Sequence, residues 1–314
     1  MRVVFFGTPL FSAKVLENLL AHGIDIVGVV TRTDKAKGRS DALIPTPVKQ
    51  LILDKKLPIP IFQPEKISAP GAADVLAELK ADLFVVVAYG EIIRQHVLDM
   101  PRLGCINVHT SILPHYRGAA PIQRCIINGE TETGVSIMYM VRQMDAGDVI
   151  KCVKVPITEN MTFGELEDEL CRAGSQALLE TLPLIEKGIA PRTVQNHEKA
   201  TLAPKIELED CEVKWTEDAQ KLHNLIRGTN PYPGAWCWVQ VRDVKKRLKL
   251  IQSKPMKSLS GKPGDILHYS KDGIIIACGK DALKLERVQL EGKKVMSVQE
   301  LINGLPQEAL KFCI

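Results

Sequence analysis

Residues 3–20 read VVFFGTPLFSAKVLENLL. Four apolar residues run up to Gly7-Thr8-Pro9, and beyond that break Ala13, Leu16, Leu19 and Leu20 recur at helical spacing. A short apolar run, a turn and then a period near 3.6 predict a buried strand leading into a helix. The same grammar repeats outward along the chain. Residues 24–31 (IDIVGVVT), 59–62 (IPIF), 83–89 (LFVVVAY) and 105–109 (CINVH) read as further strands, with helix-like stretches such as 48–56 and 72–80 between them. Strands alternating with helices imply a parallel sheet, because the crossover between parallel neighbours is a helix that lies on the sheet. Residues 135–141 and 149–155 add two strands. Residues 164–187 then carry Leu166, Leu170, Ala173, Ala177, Leu178 and Leu182 as the apolar stripe of one long helix.

After Gly188 the texture changes. Residues 189–206 are polar and turn-rich, with Pro191 and Pro204, which suits a linker. Beyond Trp215 a helix over 219–227 leads into WCWVQV, RLKLIQ, GIIIACG and LKLERVQL, short alternating strands punctuated by glycine that predict a small β-barrel. The expected division is an α/β domain over residues 1–188, a linker over 189–206 and a β-barrel domain over 207–314.

A chain of 314 residues, 45% hydrophobic and 25% charged, is long enough to build a sizeable core in two domains. Its eight cysteines stand singly, with no CxxC pair and no Cys/His cluster at metal spacing. They read as small buried hydrophobes in a reducing compartment, and no metal is expected. Five apolar residues before Gly7 are too few for a signal peptide, and no apolar run approaches the ~20 residues that span a bilayer. The expectation is a soluble cytoplasmic protein, and a monomer, since no long exposed apolar stripe marks an interface. Net charge is +4, and residues 207–314 hold 18 lysines and arginines against 14 acids, so the excess lies in the last third. Residues 242–262 carry eight basic side chains and one acid, Asp243. Such a run reads either as a solvated barrel face or as a surface for a polyanion such as RNA.

In an open α/β sheet, ligands bind beyond the carboxyl ends of the strands. Residues 106–123, INVHTSILPHYRGAAPIQ, occupy such an end. Strand side chains alternate, so Asn107 and His109 project to one side, about 7 Å apart. An amide donates to a carbonyl oxygen and an imidazole moves a proton near neutral pH, which suits attack on a carbonyl carbon. A carboxylate could fix the imidazole, and the candidates on nearby loops include Asp145 in QMDAGD (residues 143–148), between two expected strands. Taken singly, each has a plainer reading: His109 as a structural histidine, Asn107 and Asp145 as turn formers, Ser111 as a cap. The Gly7-Thr8-Pro9 turn is not a dinucleotide fingerprint, because no GxGxxG follows the first strand.

As a set, N-V-H-T-S-I-L-P and the downstream M-D-A-G-D resemble the NxHxSxLP and DxG motifs of the folate-dependent formyltransferases. FFGTPLFS, GRSDALIPTPVK, FQP and VVVAYG extend the resemblance to nearly the whole length, toward the members that act on methionyl-tRNA. It implies a Rossmann-like parallel-sheet N-terminal domain and an OB-like C-terminal barrel, with 10-formyltetrahydrofolate as donor and methionyl-initiator tRNA as acceptor. Asn107 would then hold the formyl oxygen, and His109 would stabilise the oxyanion or assist proton transfer. Asp145 would orient His109. Ser111, Ile112, Leu113 and Pro114 would form the folate segment, with the backbone of Val87, Ala88, Tyr89 and Gly90 lining the pterin pocket. For tRNA, the resemblance points to the loop over 31–45, TRTDKAKGRSDALIP, with Arg39 central and Lys35 and Lys37 beside it. Lys245, Lys246 and Arg247 of the basic run would add to it. The chain departs from the family in having Ser40-Asp41-Ala42 where lysines often follow the glycine-arginine pair. Fewer charges there would shift electrostatic work to the barrel. The catalytic trio by itself leaves a sugar-nucleotide acceptor, or water, open.

Overall fold

The computed structural model describes residues 1–36 and 42–313. Its contacts divide into two compact units. One comprises Met1–Gly118, Glu132–Pro156 and Glu167–Ala203; the other comprises Ala119–Thr131, Ile157–Leu166 and the chain from Pro204 on.

The first unit is built on a seven-stranded sheet. Strands β1 (Arg2–Gly7), β2 (Asp25–Val30), β5 (Ile61–Phe62), β6 (Leu83–Val87), β7 (Cys105–His109), β8 (Glu132–Tyr139) and β9 (Val149–Pro156) lie in the order β5-β2-β1-β6-β7-β8-β9. A separate hairpin pairs β3 (Lys35–Ala36) with β4 (Leu43–Ile44). The sheet is parallel from β5 to β7, while β8 and β9 are antiparallel to their neighbours. Helices α1 (Leu10–Ala21), α2 (Pro47–Asp54), α3 (Asp74–Ala77) and α4 (Gln95–Leu98) fall between the parallel strands. Strand β6 is buried at all five positions, which is why it reads as a continuous apolar run rather than an alternating one. Full burial of each such Val or Leu stabilises the sheet by roughly 1.5–3 kcal/mol.

Two further helices follow in the chain: α5 (Pro121–Ile127), which belongs to the second unit, and α6 (Phe163–Glu186), which belongs to the first from Glu167 on. The start of α6 is set by a reciprocal cap, Glu165 N–H to Thr162 Oγ1 (3.3 Å) and Thr162 N–H to Glu165 Oε2 (2.8 Å). A Cβ at Gly174 would stand 3.1 Å from Val108 and 3.3 Å from Val135, so α6 lies close against that face of the sheet. Asn107 and His109 are left on the other face.

Residues 189–203, expected to be part of a linker, are instead built onto the first unit. Thr193 bridges Val149, Leu202 bridges Arg117, and the backbones of Arg117 and Ala203 exchange hydrogen bonds with their neighbours at 2.7–2.8 Å. Polar, turn-rich composition marks the lack of a regular period; it does not mark the lack of backbone partners.

The second unit carries β10 (Trp236–Val241), β11 (Val244–Met256), β12 (Ile266–Ser270), β13 (Gly273–Ala277), β14 (Ala282–Leu290), β15 (Met296–Ser297) and β16 (Leu310–Phe312). They form one antiparallel sheet in the order β12-β13-β14-β11-β10-β16, with β15 on β14. Register shifts between Leu250 and Ser253 bend the long β11, so that one strand serves both β10 and β14 and the sheet curls into a nearly closed barrel. Trp215, Val239, Leu248, Leu250, Ile276, Leu285 and Phe312 fill it. Helices α7 (Ala219–Gly228) and α8 (Val298–Gly304) belong to this unit, capped by Asp218 and Ser297.

Candidate active site

The site begins at the carboxyl end of β7. There Asn107 pairs in register with Met138 and His109 with Ser136, so the two polar side chains share a face with both. His109 is nearly buried. Its Nε2 lies 3.0 Å from the Tyr116 carbonyl oxygen, and because a carbonyl only accepts, Nε2 carries the hydrogen. Nδ1 is thereby the basic nitrogen, and it faces Asp145 Oδ2 at 3.7 Å. That is beyond hydrogen-bond range, and because an unprotonated Nδ1 and a carboxylate oxygen both only accept, the two can bond only once Nδ1 carries a proton. The same Oδ2 accepts the Gly118 N–H at 2.8 Å. The two side chains are only 6% and 13% exposed, so a charge on either is poorly screened. The half-buried carboxamide of Asn107 has no partner within the protein among the described residues, and its donors remain available.

The turn that presents Asp145 depends on its glycine. A Cβ at Gly147 would sit 1.8 Å from the Tyr139 carbonyl oxygen, so only glycine lets the two backbones approach. Asp145 itself has φ +51°, and Gln195 Nε2 donates to the carbonyls of Asp145 (2.9 Å) and Gly147 (2.7 Å). Gln195 Oε1 in turn accepts from Arg117 Nε (3.2 Å) and Nη2 (2.6 Å). Neither Gln195 nor Arg117 stands out as a site residue in the sequence. A glutamine in a turn-rich stretch carries no local signal of what it touches 50 residues away.

Of the segment assigned to folate, Ser111 is fully buried. Its hydroxyl donates to the His115 carbonyl at 2.6 Å, and its own carbonyl accepts from Ser136 Oγ at 2.7 Å. The Ser111 side chain therefore braces the loop from within and presents no surface to a ligand. Ile112, Leu113 and Pro114 are half-buried, and Leu113 N–H donates to Ser136 Oγ at 3.2 Å. In the 87–90 turn, Val87 and Tyr89 point inward, their carbonyls taken by Ser12 (2.6 Å) and Thr8 (2.8 Å). Ala88 (φ +45°) and Gly90 (φ +84°) are exposed, which leaves them to line a pocket. This turn also ends β6 at Val87, two residues before the apolar run ends.

Lys35 is exposed on the hairpin, whose base is held by Lys49 Nζ against Asp34 (2.6 Å) and Gln63 (2.7 Å). The Lys49 ammonium keeps the Asp34 carboxyl below its ordinary range. Lys37 and Arg39 lie outside the described residues. In the barrel, strand alternation separates the three basic residues grouped together by sequence. Lys245 and Arg247 share a face with the tryptophans of β10: the Lys245 ammonium lies 4.7 Å from the Trp238 ring centroid and the Arg247 guanidinium 4.3 Å from that of Trp236. Lys246 pairs with the fully buried Val239 and starts toward the opposite, interior face. Among the described residues no His, Cys, Asp and Glu cluster could hold a metal, and no helix is long and apolar enough to cross a membrane.

Residues 1–182 match the model of the formyl transferase family, and residues 205–306 match that of the formyl transferase C-terminal domain. The chain belongs to the formyl transferase family. A methionyl-tRNA formyltransferase of Protochlamydia amoebophila is 54% identical over 314 residues, covering 100% of this chain and 98% of the relative. One from Chlamydia caviae is 42% identical over 315 residues, covering 99% and 98%. Among solved structures, WlaRD, a sugar 3N-formyl transferase crystallised in the presence of dTDP and 5-N-formyl-THF, superposes with TM-score 0.68 at 18% identity over 94% of this chain and 99% of that one. HypX from Aquifex aeolicus in complex with tetrahydrofolic acid gives 0.65 at 18% identity over 96% of this chain, which spans about half (47%) of HypX.

Proposed function

We propose that the chain transfers a formyl group from 10-formyltetrahydrofolate to the α-amine of methionyl-initiator tRNA, giving N-formylmethionyl-tRNA for translation initiation. The observation that carries the reaction class is the meeting of the unpartnered Asn107 carboxamide with the His109–Asp145 pair at one strand end. The amine is itself the nucleophile, so no protein serine or cysteine needs activation. As its nitrogen bonds the formyl carbon, the carbonyl oxygen gains negative charge, and the Asn107 amide is the donor available to it. One such donor is worth ~2.7–4 kcal/mol. The amine must also lose a proton, and the leaving nitrogen must gain one. A proton taken at His109 Nδ1 makes an imidazolium that lies between the Tyr116 carbonyl, 3.0 Å from Nε2, and the Asp145 carboxylate, 3.7 Å from Nδ1. Ile112 to Pro114 and the exposed Ala88 and Gly90 would hold the folate, which supplies the activated one-carbon unit.

The acceptor rests on full-length relatives at 42–54% identity, all named for methionyl-tRNA. The sugar transferases share the fold at less than half that identity. The Trp-backed cations of the barrel support an RNA partner, with Lys35, Lys37 and Arg39 assigned to the same role. A cytoplasmic, monomeric enzyme belongs to the same proposal, and eight free thiols suit a reducing compartment. Purified protein given 10-formyltetrahydrofolate and, in parallel, methionyl-initiator tRNA or amino-sugar nucleotides should formylate only the tRNA. His109→Ala and Asp145→Ala should each lower turnover by at least about 10² while donor binding is kept. Near-normal turnover in either variant refutes the assignment of that residue.

A further inference from the structure

We infer that Gln195, in the stretch whose composition reads as a linker, is a positioning residue for Asp145, and that Arg117 holds Gln195 in the one orientation able to do it. The inference rests on the catalytic reading of Asp145.

Four hydrogen bonds fix the arrangement. Gln195 is 6% exposed and Arg117 5%. Arg117 directs Nε and Nη2 at Gln195 Oε1, at 3.2 and 2.6 Å. Gln195 directs Nε2 at the carbonyls of Asp145 and Gly147, at 2.9 and 2.7 Å. A guanidinium has only donors and a backbone carbonyl only accepts, so the carboxamide cannot turn over without facing donor to donor and acceptor to acceptor. Arg117 is held in its turn: Nη2 donates to His197 Nδ1 at 3.0 Å, its N–H to the Thr201 carbonyl at 2.8 Å, and its carbonyl accepts the Ala203 N–H at 2.7 Å.

The reason for such a clamp is the conformation it holds. Asp145 has φ +51°, a region that residues other than glycine seldom occupy, and Met144 beside it is exposed. Two hydrogen bonds from one amide tie the carbonyls on either side of Ala146. They fix the direction in which the Asp145 side chain leaves the backbone, and with it the gap between Oδ2 and His109 Nδ1. A buried glutamine that merely satisfied loop carbonyls would affect stability alone. One that sets the aim of Asp145 affects turnover, and does so only while Asp145 is present.

Gln195→Glu keeps the size of the side chain and still offers Arg117 an acceptor, but has no hydrogen to give the two carbonyls. It should lower kcat by about 10- to 10²-fold, the scale of an ångström-sized misplacement. KM for donor and tRNA should stay within about twofold, since neither is bound by Gln195. In an Asp145→Asn background, Gln195→Glu should lower kcat no further. Should Gln195→Glu not fold, Arg117→Lys, which removes the two-pronged grip on Oε1, carries the same comparison. Wild-type kcat in the single variant, or an equal loss with and without the Asp145 carboxylate, overturns the inference. Wild-type kcat in Asp145→Asn alone would sink the catalytic reading of Asp145 first, and the positioning role with it.

Discussion

Gly118 has φ +123°, and an added Cβ would stand 2.7 Å from the Ala203 carbonyl oxygen. That oxygen belongs to backbone held by the Arg117 bridge, so it cannot move aside as a flexible side chain would. Gly118→Ala should cost about 1–3 kcal/mol of stability and move the N–H that Asp145 accepts, lowering the unfolding midpoint and turnover together. An unchanged midpoint in denaturant titration would mean that the 114–118 and 201–203 backbones separate freely. At this scale the sequence divides into readable and unreadable residues on a physical ground. Asn107 and His109 could be read because a period of two places them on one face whatever the rest of the chain does. Asp145 could be read because a short polar turn joins two apparent strands. Gln195 and Arg117 act across 78 residues of chain, and Ser111 looks like a ligand contact until the fold encloses it. Burial and long-range partners are properties of the folded chain, and no local period encodes them.

The elements read best where one period dominated. Strand β7 has the predicted bounds, and α6 differs from its predicted span by one residue at each end. The run over 72–80 gives only Asp74–Ala77 as helix, and β6 stops at Val87 because the Ala88 turn has positive φ. Helix α7 is legible as a helix over 219–227, but its polar residues are not legible as a clamp. His223, Asn224 and Arg227 are nearly buried, with Arg227 Nη1 donating to the carbonyls of Thr158 (3.2 Å) and Met161 (3.1 Å) and His223 lying against Ser253 and the Glu159 carbonyl. Burial holds the His223 imidazole below its ordinary pKa, with the Glu159 carbonyl opposing. The unfolded chain therefore binds the proton more readily than the folded one, and folded stability falls as pH drops below about 6.5. The midpoint of thermal unfolding should decline from there toward pH 5, and the decline should be shallower in His223→Gln. Parallel curves for the two proteins would remove His223 as its source.

For the whole molecule, the fold class was visible in the alternation of strands and helices, whereas the antiparallel β8 and β9 were not, because direction leaves no mark on a short apolar run. The passage of residues 119–131 and 157–166 into the second unit was equally silent, since the chain leaves and re-enters a unit without any change of composition. Charge carries the last consequence. The 242–262 run looks uniform in sequence, yet the strand pleat turns Lys245 and Arg247 to the tryptophan face and starts Lys246 toward the interior. Cations laid over aromatic rings are held in place by neutral groups, so their charge stays available to a phosphate backbone. If the barrel binds tRNA through this face, affinity should fall with salt. Lys245→Ala and Arg247→Ala should each flatten the log-log slope by about 0.7–0.9, the release of one phosphate's counterions, and Lys246→Ala should flatten it less. Equal effects of all three would indicate that the strand is bound edge-on without regard to face, and a slope near zero in the unaltered protein would remove the barrel from tRNA binding altogether.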